Sequence, residues 1–246
     1  MIGMLSDIGN VRKVNEDYIG FHEDSNKKLY VVADGMGGHN AGEIASKIAV
    51  ENTIEFVFSA RLNEQIDILL KQAIEASNNK IYEVSNTDLA LKGMGTTITA
   101  CLITGNKMVV ANVGDSRCYI LENDNFHQIT NDHSLVQELV DNGSITEEEA
   151  AIHPNKNVIT RALGTTANVE IDIFSTDLRS VSKVMLCTDG LTNSLTKEEV
   201  YQIIIDNDCE TSCLKLIELS KERGGRDNIS VIIFEGECND GRDFTK

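Results

Sequence analysis

Three apolar runs rich in Val, Ile and Thr follow one another at residues 97–103, 107–113 and 117–121, with no helix between them. Short runs of β-branched residues that end at Gly, Asn or Asp are typical of strands. Because parallel neighbours require a long crossover, consecutive strands of this kind favour an antiparallel sheet. Runs of the same character are predicted as strands at 29–33, 169–174, 183–187 and 229–234.

Helices are predicted on both sides of these strands. Apolar residues recur at three- and four-residue steps in 63–85 and less regularly in 41–58, and a last helix is predicted at 211–223, before two glycines. Three capping boxes predict further helix starts: Ser134 with Gln137, Thr146 with Glu149, and Thr196 with Glu199. The order of elements predicts an α+β fold in which sheet packs on sheet, with helices outside.

The composition is that of one acidic globular domain, predicted to span 1–246. The chain has 246 residues, one proline and no linker-like run. Acidic residues number 39 against 22 basic ones, which disfavours binding to nucleic acid and to anionic membranes. Neither a leader sequence nor an apolar run near the ~18 residues of a membrane span is present, which predicts a cytoplasmic protein. The six cysteines are scattered, and Cys101, Cys118 and Cys187 are expected to be buried free thiols.

Four aspartates share one sequence context, an apolar run next to glycine or a tight turn. They are Asp34 in "VVADG", Asp115 in "VANVGDSR", Asp189 in "VMLCTDG" and Asp227 in "GGRDNISVII". One such aspartate is an ordinary turn residue. If sheet pairing brings all four together, however, their repulsion and desolvation require a cation. Oxygen ligands without His or Cys favour Mg²⁺ or Mn²⁺, and several carboxylates in one pocket suit two ions.

The glycine-rich stretch "VADGMGGHNAGE" at 32–43 surrounds the first of these aspartates. A phosphate-binding P-loop needs a lysine followed by a hydroxyl residue, and this stretch has neither. Its glycines instead allow the backbone to approach a metal ion, for which the carbonyl of Gly35 is a candidate ligand.

The stretch "RKVNED" at 12–17 supplies a second set of candidates. Charged loop residues are usually only solvated. Beside a two-metal site, Arg12 could bind a phosphoryl group through two hydrogen bonds, and Asp17 could orient the attacking water. Two ions about 3.5–4 Å apart activate water and stabilise an in-line displacement, which is the chemistry of phosphoester hydrolysis.

Eight stretches together resemble the metal-dependent protein phosphatases of type 2C, in particular their compact bacterial branch. They lie in the family's order across nearly the whole chain: "RKVNEDY", "VADGMGGHNAGEIAS", "GMGTTITA", "ANVGDSRCY", "ITNDHSLVQELV", "ITRALG", "CTDGLTN" and "GGRDNISVII". The resemblance implies a four-layer α-β-β-α sandwich, with two antiparallel sheets flanked by helix pairs and a two-metal Mn²⁺ or Mg²⁺ centre at one edge.

The same resemblance implies a role for each matching residue. Asp34 would bridge both ions, the Gly35 carbonyl would bind one, and Asp189 and Asp227 would bind the other. Asp115, with Asp189, would hold a weaker third ion. The remaining matches are Glu16 and Asp17 near the metals and their waters, Arg12 on the phosphate, and Asn228 supporting its neighbour Asp227.

One departure concerns the general acid, because Met36 stands where animal members have histidine. His39, His153 and a metal-bound water are the candidates for that role, and His133 is expected to be structural. Residues 143–164 match the flap that bacterial members place beside the cleft, and are predicted to form a loop and a short helix as a flap subdomain.

The resemblance implies a monomeric phosphatase that hydrolyses phosphoserine and phosphothreonine with a metal-bridging water. It also implies that the enzyme opposes a bacterial Ser/Thr kinase, with that kinase and its substrates as partners. A non-catalytic phosphoprotein-binding module is one alternative, which the intact carboxylates disfavour. A hydrolase of small phosphoesters is the other. Activity on p-nitrophenyl phosphate and on a phosphothreonine peptide distinguishes the three.

Overall fold

Strands make up the centre of the molecule. The computed structural model describes residues 1–37, 41–60 and 65–237. The strands are β1 (Ile2–Asp7), β2 (Asp17–Glu23), β3 (Lys28–Met36), β4 (Gly95–Thr96), β5 (Ile98–Thr104), β6 (Lys107–Val113), β7 (Arg117–Glu122), β8 (Asn125–Gln128), β9 (Asp172–Asp177), β10 (Val181–Cys187) and β11 (Ile229–Glu235).

These strands form two antiparallel sheets. One has the order β1-β11-β10-β7-β8. The other has the order β2-β3-β5-β6-β9, and the short β4 pairs with the end of β3. The antiparallel pairing expected of consecutive strands is confirmed for β5 and β6. Strand β7 does not pair with β6; it joins the other sheet, where it pairs antiparallel with β8 and β10.

Helices cover the outer face of each sheet. They are α1 (Ala41–Ser59), α2 (Ile66–Thr87), α3 (Leu135–Asp141), α4 (Glu147–Ala151), α5 (Asp189–Thr192), α6 (Lys197–Asp206) and α7 (Cys209–Glu222), with 3₁₀ turns at Leu89–Leu91 and Leu178–Ser180. Helices α1 and α2 bury residues such as Ala49 and Ile74 against the β2–β9 sheet. Helices α6 and α7 bury Ile204 and Leu216 against the other sheet. The predicted α-β-β-α sandwich is confirmed.

A third apolar cluster fills the space between the two sheets. It includes Tyr30 from one sheet and Phe234 from the other, whose rings stack with centroids 4.0 Å apart. Cys101 and Cys118 belong to this cluster, and Cys187 is buried on the helix side of its sheet. All three are free thiols, as predicted. Because the sheets are fixed face to face, loops from both meet along one edge, and this edge carries the site.

Among the predicted helix and strand details that are wrong are the start of β9 and the cap of α3. Strand β9 occupies 172–177, three residues beyond the predicted start at 169. At α3, the Ser134 hydroxyl accepts a hydrogen bond from the Gln137 backbone, but the Gln137 side chain bonds Asp141 instead of completing a capping box. The boxes at α4 and α6 are complete.

Candidate metal centre

The four aspartates predicted from strand ends meet in one cleft. Asp34, Asp115, Asp189 and Asp227 line a cavity of about 300 Å³ at the edge where the two sheets meet. Asp34 lies in β3, while the other three lie at or beside the ends of β6, β10 and β11. The carboxyl groups of Asp34 and Asp189 line the same cavity, and burial together with the charge of Asp189 raises the pKa of Asp34. The two sheets thus contribute carboxylates to a single site, as the sequence predicts.

A fifth carboxylate, Asp17, lies directly behind this group. It begins β2 and pairs with Asp34 across the sheet, and it is only 5% exposed. The hydroxyls of Thr188 and Ser230 both donate to its Oδ2, at 2.8 Å and 2.7 Å. Its other oxygen, Oδ1, is buried and has no hydrogen-bond partner among the described residues. One oxygen is therefore fixed by the fold, and the other remains available to a ligand.

Burial and crowding raise the pKa values of these carboxyl groups. Desolvation, opposed by the two hydroxyls and reinforced by the charges of Asp189 and Asp227, raises the pKa of Asp17 to about 7. Desolvation and repulsion by Asp189 also raise the pKa of Asp115 to about 7. The pKa of Asp34 lies well above its ordinary value, first from burial and then from its aspartate neighbours. Concentrating so many acids is unfavourable unless a positive charge is present.

The rim of the cleft carries the arginine of the predicted set. Arg12 Nη2 lies 2.8 Å from Asp227 Oδ2, and the Arg12 side chain is 49% exposed. The Asn228 side chain accepts from the Glu16 backbone N–H at 2.8 Å and donates to two backbone carbonyls of residues 8 and 14. Asn228, which precedes β11, therefore connects the start of that strand to the loop that contains Arg12 and Glu16.

Glycine is required where the backbone comes closest to this cleft. A Cβ on Gly35 would lie 2.1 Å from the Gly42 carbonyl oxygen and 2.5 Å from that of Glu16. A Cβ on Gly190 would lie 1.9 Å from the Asn228 carbonyl oxygen. These contacts are closer than any side chain allows. The glycines after Asp34 and Asp189 thus bring loops from different elements together around the carboxylates.

The donor set fits a divalent cation with a preference for oxygen. Asp17 Oδ1 and Asp189 Oδ1 are both buried without a hydrogen-bond partner in the described part of the chain. In the same ranges, no three His, Cys, Asp or Glu side chains are already arranged to hold an ion. The carboxylates instead engage protein groups, Asp227 with Arg12 and Asp189 with Asn193. The all-oxygen set matches Mn²⁺ or Mg²⁺.

The candidates for the general acid lie in different places relative to the cleft. Met36 lines the cleft. His153 is not among the lining residues, and its Nδ1 accepts from the Asn155 backbone N–H at 3.1 Å. His39 lies outside the described residues. His133 is 6% exposed, and its ring accepts from the Gly114 N–H at 3.1 Å, so it supports the turn that carries Asp115.

Several residues at the site were not identified from the sequence. Thr188 and Ser230 look like ordinary strand residues, and their common link to Asp17 appears only when β10 and β11 are adjacent. Thr97 accepts from the Asp34 backbone N–H at 2.9 Å. Asn157, from the predicted flap, lines the cleft beside Ile159. The position of Thr188 immediately before Asp189 was the one usable signal.

Fold and site together define a class of protein. Two antiparallel sheets between helix layers, with a cleft of carboxylates and an arginine at its rim, are the arrangement of a metal-dependent phosphoester hydrolase. The family model of protein phosphatase 2C matches residues 10–212. The serine/threonine phosphatase stp of Listeria innocua is 38% identical, over 94% of this chain and 93% of its own.

Solved structures agree with this assignment. A bacterial serine phosphatase bearing an R161K mutation superposes with a TM-score of 0.91 at 35% identity, covering 97% of this chain and 98% of its own. The catalytic domain of the serine/threonine protein phosphatase PstP, solved in complex with 2 manganese ions, gives a TM-score of 0.85 at 34% identity, with 96% and 97% covered. The chain belongs to the protein phosphatase 2C family, and it is a metal-dependent serine/threonine protein phosphatase. None of the helices in the described ranges has both the length and the apolar character to cross a membrane.

Proposed function

We propose that the cleft hydrolyses phosphoserine and phosphothreonine by direct attack of water, with Asp34, Asp189, Asp227 and the Gly35 carbonyl as ligands of two ions. The observation that carries this proposal is the presence of two buried carboxylate oxygens without a partner, on Asp17 and Asp189, inside a cluster of aspartates. Bound Mn²⁺ or Mg²⁺ would neutralise that cluster and activate the attacking water. PstP, which has the same fold, was solved with 2 manganese ions.

Asp34 is suited to contact both ions because it has acidic neighbours from both sheets. It pairs with Asp17 across β2 and β3, and, in addition to burial, the charge of Asp189, from the other sheet, raises its pKa. Asp115 lies farther along the cleft, where it and Asp189 line a neighbouring cavity as well. That position supports its role in holding a weaker third ion, with Asp189 as the shared ligand.

Asp17 orients the attacking water. Thr188 and Ser230 hold one oxygen of its carboxylate, so the second oxygen has a fixed direction and accepts a proton or a hydrogen bond from water. Glu16 contributes through its backbone, whose carbonyl accepts from the Gly35 N–H at 3.0 Å. Asn228, through its side-chain hydrogen bonds, fixes the position of this loop relative to Asp227.

Arg12 recognises the phosphoryl group. Only one of its terminal nitrogens is committed to Asp227, and its half-exposed guanidinium retains further N–H donors at the rim. A planar guanidinium forms two parallel hydrogen bonds with a phosphoryl group, which lysine cannot do. We propose water in the cleft as the proton donor to the leaving oxygen; Met36, which lines the cleft, has no proton to give, and His153 does not line it.

The substrates are phosphorylated proteins. We propose that they include a transmembrane Ser/Thr kinase of the same cell and the proteins that this kinase phosphorylates, and that the phosphatase acts in the cytoplasm as a monomer. The relatives named as serine/threonine phosphatases support this substrate class.

The test is turnover of a phosphothreonine peptide and of p-nitrophenyl phosphate, with Mn²⁺ and after chelation by EDTA. Both substrates should be hydrolysed with Mn²⁺, and both activities should disappear with EDTA and return when Mn²⁺ is restored. Asp34→Asn should remove turnover with the far-ultraviolet circular dichroism unchanged. Full activity after exhaustive chelation, or a near wild-type rate for the variant, would refute the proposed centre.

A further inference from the structure

The space between the two sheets becomes polar at the end nearest the catalytic cleft. Strand β1 pairs with β11, and the side chains that face this space form three cross-strand pairs: Ile2 with Phe234, Met4 with Ile232, and Ser6 with Ser230. The last pair replaces an apolar contact with two hydroxyls that lie 2.8 Å apart. Beside them lies Asp17, which enters from the other sheet. The two serines are therefore explained by their polar neighbours and not by packing.

Asn15 completes a closed ring of hydrogen bonds with these serines and Asp17. The Asn15 side-chain amide donates to the Ser6 hydroxyl at 2.8 Å. The two serine hydroxyls bond each other, and that of Ser230 donates to Asp17 Oδ2 at 2.7 Å. The ring closes where the Asp17 backbone N–H donates to Asn15 Oδ1 at 3.2 Å. We call these four residues the hydroxyl ring.

The hydrogen bonds of the hydroxyl ring all run in one direction. A backbone N–H can only donate, so the Asn15 atom that faces it is the amide oxygen, and the atom that faces Ser6 is the nitrogen. Ser6 therefore accepts from Asn15, and its own hydrogen points to Ser230. Ser230 accepts from Ser6 and gives its single hydrogen to the Asp17 carboxylate. Hydrogen bonds that run one way around a network strengthen one another.

Most of the hydroxyl ring lies behind the cleft and not in it. Among the described residues, those that line the cleft include neither Asn15, Ser6 nor Ser230. Thr188, the second donor to Asp17 Oδ2, accepts from the Ser230 backbone N–H at 3.0 Å, so both donors depend on the position of β11. The orientation of the Asp17 carboxylate is thus set by residues that do not line the cleft.

We propose that Asn15 and Ser6 are positioning residues for hydrolysis, which direct the Ser230 hydroxyl to Asp17 Oδ2 and so hold Asp17 Oδ1 toward the attacking water. The proposal rests on the role of Asp17 proposed above. Because the Asn15 amide nitrogen has no acceptor capacity, it decides which way two hydroxyls donate. If an acceptor replaced it, Ser6 would turn its hydrogen to residue 15 and accept from Ser230, and Asp17 would lose a donor.

The experiment reverses the hydroxyl ring with Asn15→Asp, which replaces the donor nitrogen with an acceptor oxygen at almost unchanged size. At saturating Mn²⁺, kcat on p-nitrophenyl phosphate should fall about tenfold or more, because a hydrogen bond to a charged carboxylate is lost. KM should stay within about twofold, since Arg12 is unchanged. Adding Ser6→Ala removes the hydroxyl that transmits the reversal. The double variant should therefore recover to within about threefold of Ser6→Ala alone.

Two further variants test the same path without an added charge. Ser6→Thr keeps the hydroxyl and should keep kcat near wild type. Ser230→Ala removes the donor to Asp17 directly, so it should lower kcat as far as Asn15→Asp does. The two changes combined should lower kcat no further, because each removes the same hydrogen bond.

Asn26→Asp is the matched control, because the Asn26 amide also donates to a serine hydroxyl, that of Ser25, in an exposed turn between β2 and β3. It should leave kcat and KM unchanged. A second readout needs no turnover: in metal-free protein, Ser6→Ala should shift the NMR signals of the Asn15 side-chain amide and leave those of Asn26 in place. Mn²⁺ should raise the Tm of Asn15→Asp as it does that of the wild type, since the hydroxyl ring contains no proposed metal ligand.

Four outcomes would overturn the proposal. A double variant as slow as Asn15→Asp would mean that the added charge causes the loss. A wild-type kcat for Asn15→Asp would mean that the hydroxyl ring does not affect the reaction, and a wild-type kcat for Ser230→Ala would mean the same even if Asn15→Asp did not fold. An Asn15 amide signal unmoved by Ser6→Ala would mean that their contact is not made in solution. If the wild type hydrolysed no substrate with Mn²⁺, the proposed hydrolysis would fail while the amide signal still reported the ring, so the two failures are distinguishable.

Discussion

At the scale of single residues, the phosphate-binding role proposed for Arg12 can be tested separately from metal binding. The contact of Arg12 with Asp227 places it at the rim, where it can exchange one carboxylate partner for a phosphoryl group. Arg12→Ala removes charge-assisted hydrogen bonds worth about 1.5–3 kcal/mol, so kcat/KM on a phosphothreonine peptide should fall about 10- to 150-fold. Inhibition by inorganic phosphate should weaken in parallel. Steady-state kinetics at saturating Mn²⁺ measure both.

The neighbouring residues supply the controls for this change. Arg12→Lys should recover only part of the loss, because a single ammonium cannot make the paired contact. Lys13→Ala, at an adjacent exposed position, should leave both constants near wild type. Mn²⁺ affinity should not fall in Arg12→Ala, since Asp227 loses a competitor for its oxygen. An unchanged kcat/KM together with an unchanged phosphate inhibition constant would show that Arg12 is only a surface residue.

At the scale of elements, the sequence predicts the interior strands and misses the edges. Strands β3, β5, β6, β7, β10 and β11 were all predicted, and each lies inside a sheet. The edge strands β1, β2 and β8 were not, and the remaining edge, β9, was placed three residues too early. An edge strand pairs on one side only and is half exposed, as the mixed burial of β1 and β2 shows. Its apolar pattern is therefore weak, and Asp17 was assigned to a loop for this reason.

Two buried lysines connect helix ends to the sheets. No local sequence pattern predicted these contacts. Lys27, just before β3, donates to the Val57 carbonyl oxygen at 2.6 Å, near the end of α1. Lys183 of β10 donates to the carbonyl oxygens of Ile204 and Asn207, at 2.7 Å and 2.6 Å, at the end of α6. The last carbonyls of a helix have no partner within it, and they carry its negative dipole end. Each lysine thus stabilises the joint between one helix layer and its sheet.

Replacement of Lys183 by methionine tests this joint. The variant keeps most of the apolar volume but leaves one buried and one partly buried carbonyl without this charged donor. Since such bonds contribute about 1.5–3 kcal/mol, we expect the free energy of unfolding to fall by roughly 2–4 kcal/mol. Urea unfolding followed by circular dichroism gives the value. Lys71→Met, on the exposed face of α2, should change it by less than about 0.5 kcal/mol. A Lys183 variant as stable as this control would mean that the joint contributes nothing.

At the scale of the whole molecule, the four aspartates of the cleft could be predicted because each lies at or near the end of a strand, where paired strands can bring acidic side chains together. Asp34, Asp115, Asp189 and Asp227 were recognisable from apolar runs and glycines alone. Their common cleft depends on β11 lying between β1 and β10 in one sheet and on β3 pairing with β5 in the other, and these pairings join distant parts of the chain. The contacts of the Thr188 and Ser230 hydroxyls with Asp17 could not be predicted from the sequence, because they too depend on long-range strand pairing. Local sequence thus indicates which groups bear the chemistry, whereas the sheet order determines their neighbours.

The same architecture predicts that stability depends on metal. The fold holds Asp17, Asp34, Asp115, Asp189 and Asp227 close together at one edge, with pKa values raised by burial and repulsion for Asp17, Asp34, Asp115 and Asp189. A cation that binds only the folded state stabilises it by RT ln(1 + [L]/Kd), or about 2.7 kcal/mol at a concentration of 100 Kd. For a domain of this size that corresponds to an increase in Tm of roughly 5–11 °C.

Asp34→Asn removes one buried charge, so without metal it should melt higher than the wild type, and Mn²⁺ should raise its Tm far less. Differential scanning fluorimetry of both proteins, with EDTA and with increasing Mn²⁺, measures all four states. If Mn²⁺ left the wild-type Tm unchanged, or raised that of Asp34→Asn equally, these carboxylates would not form the metal centre.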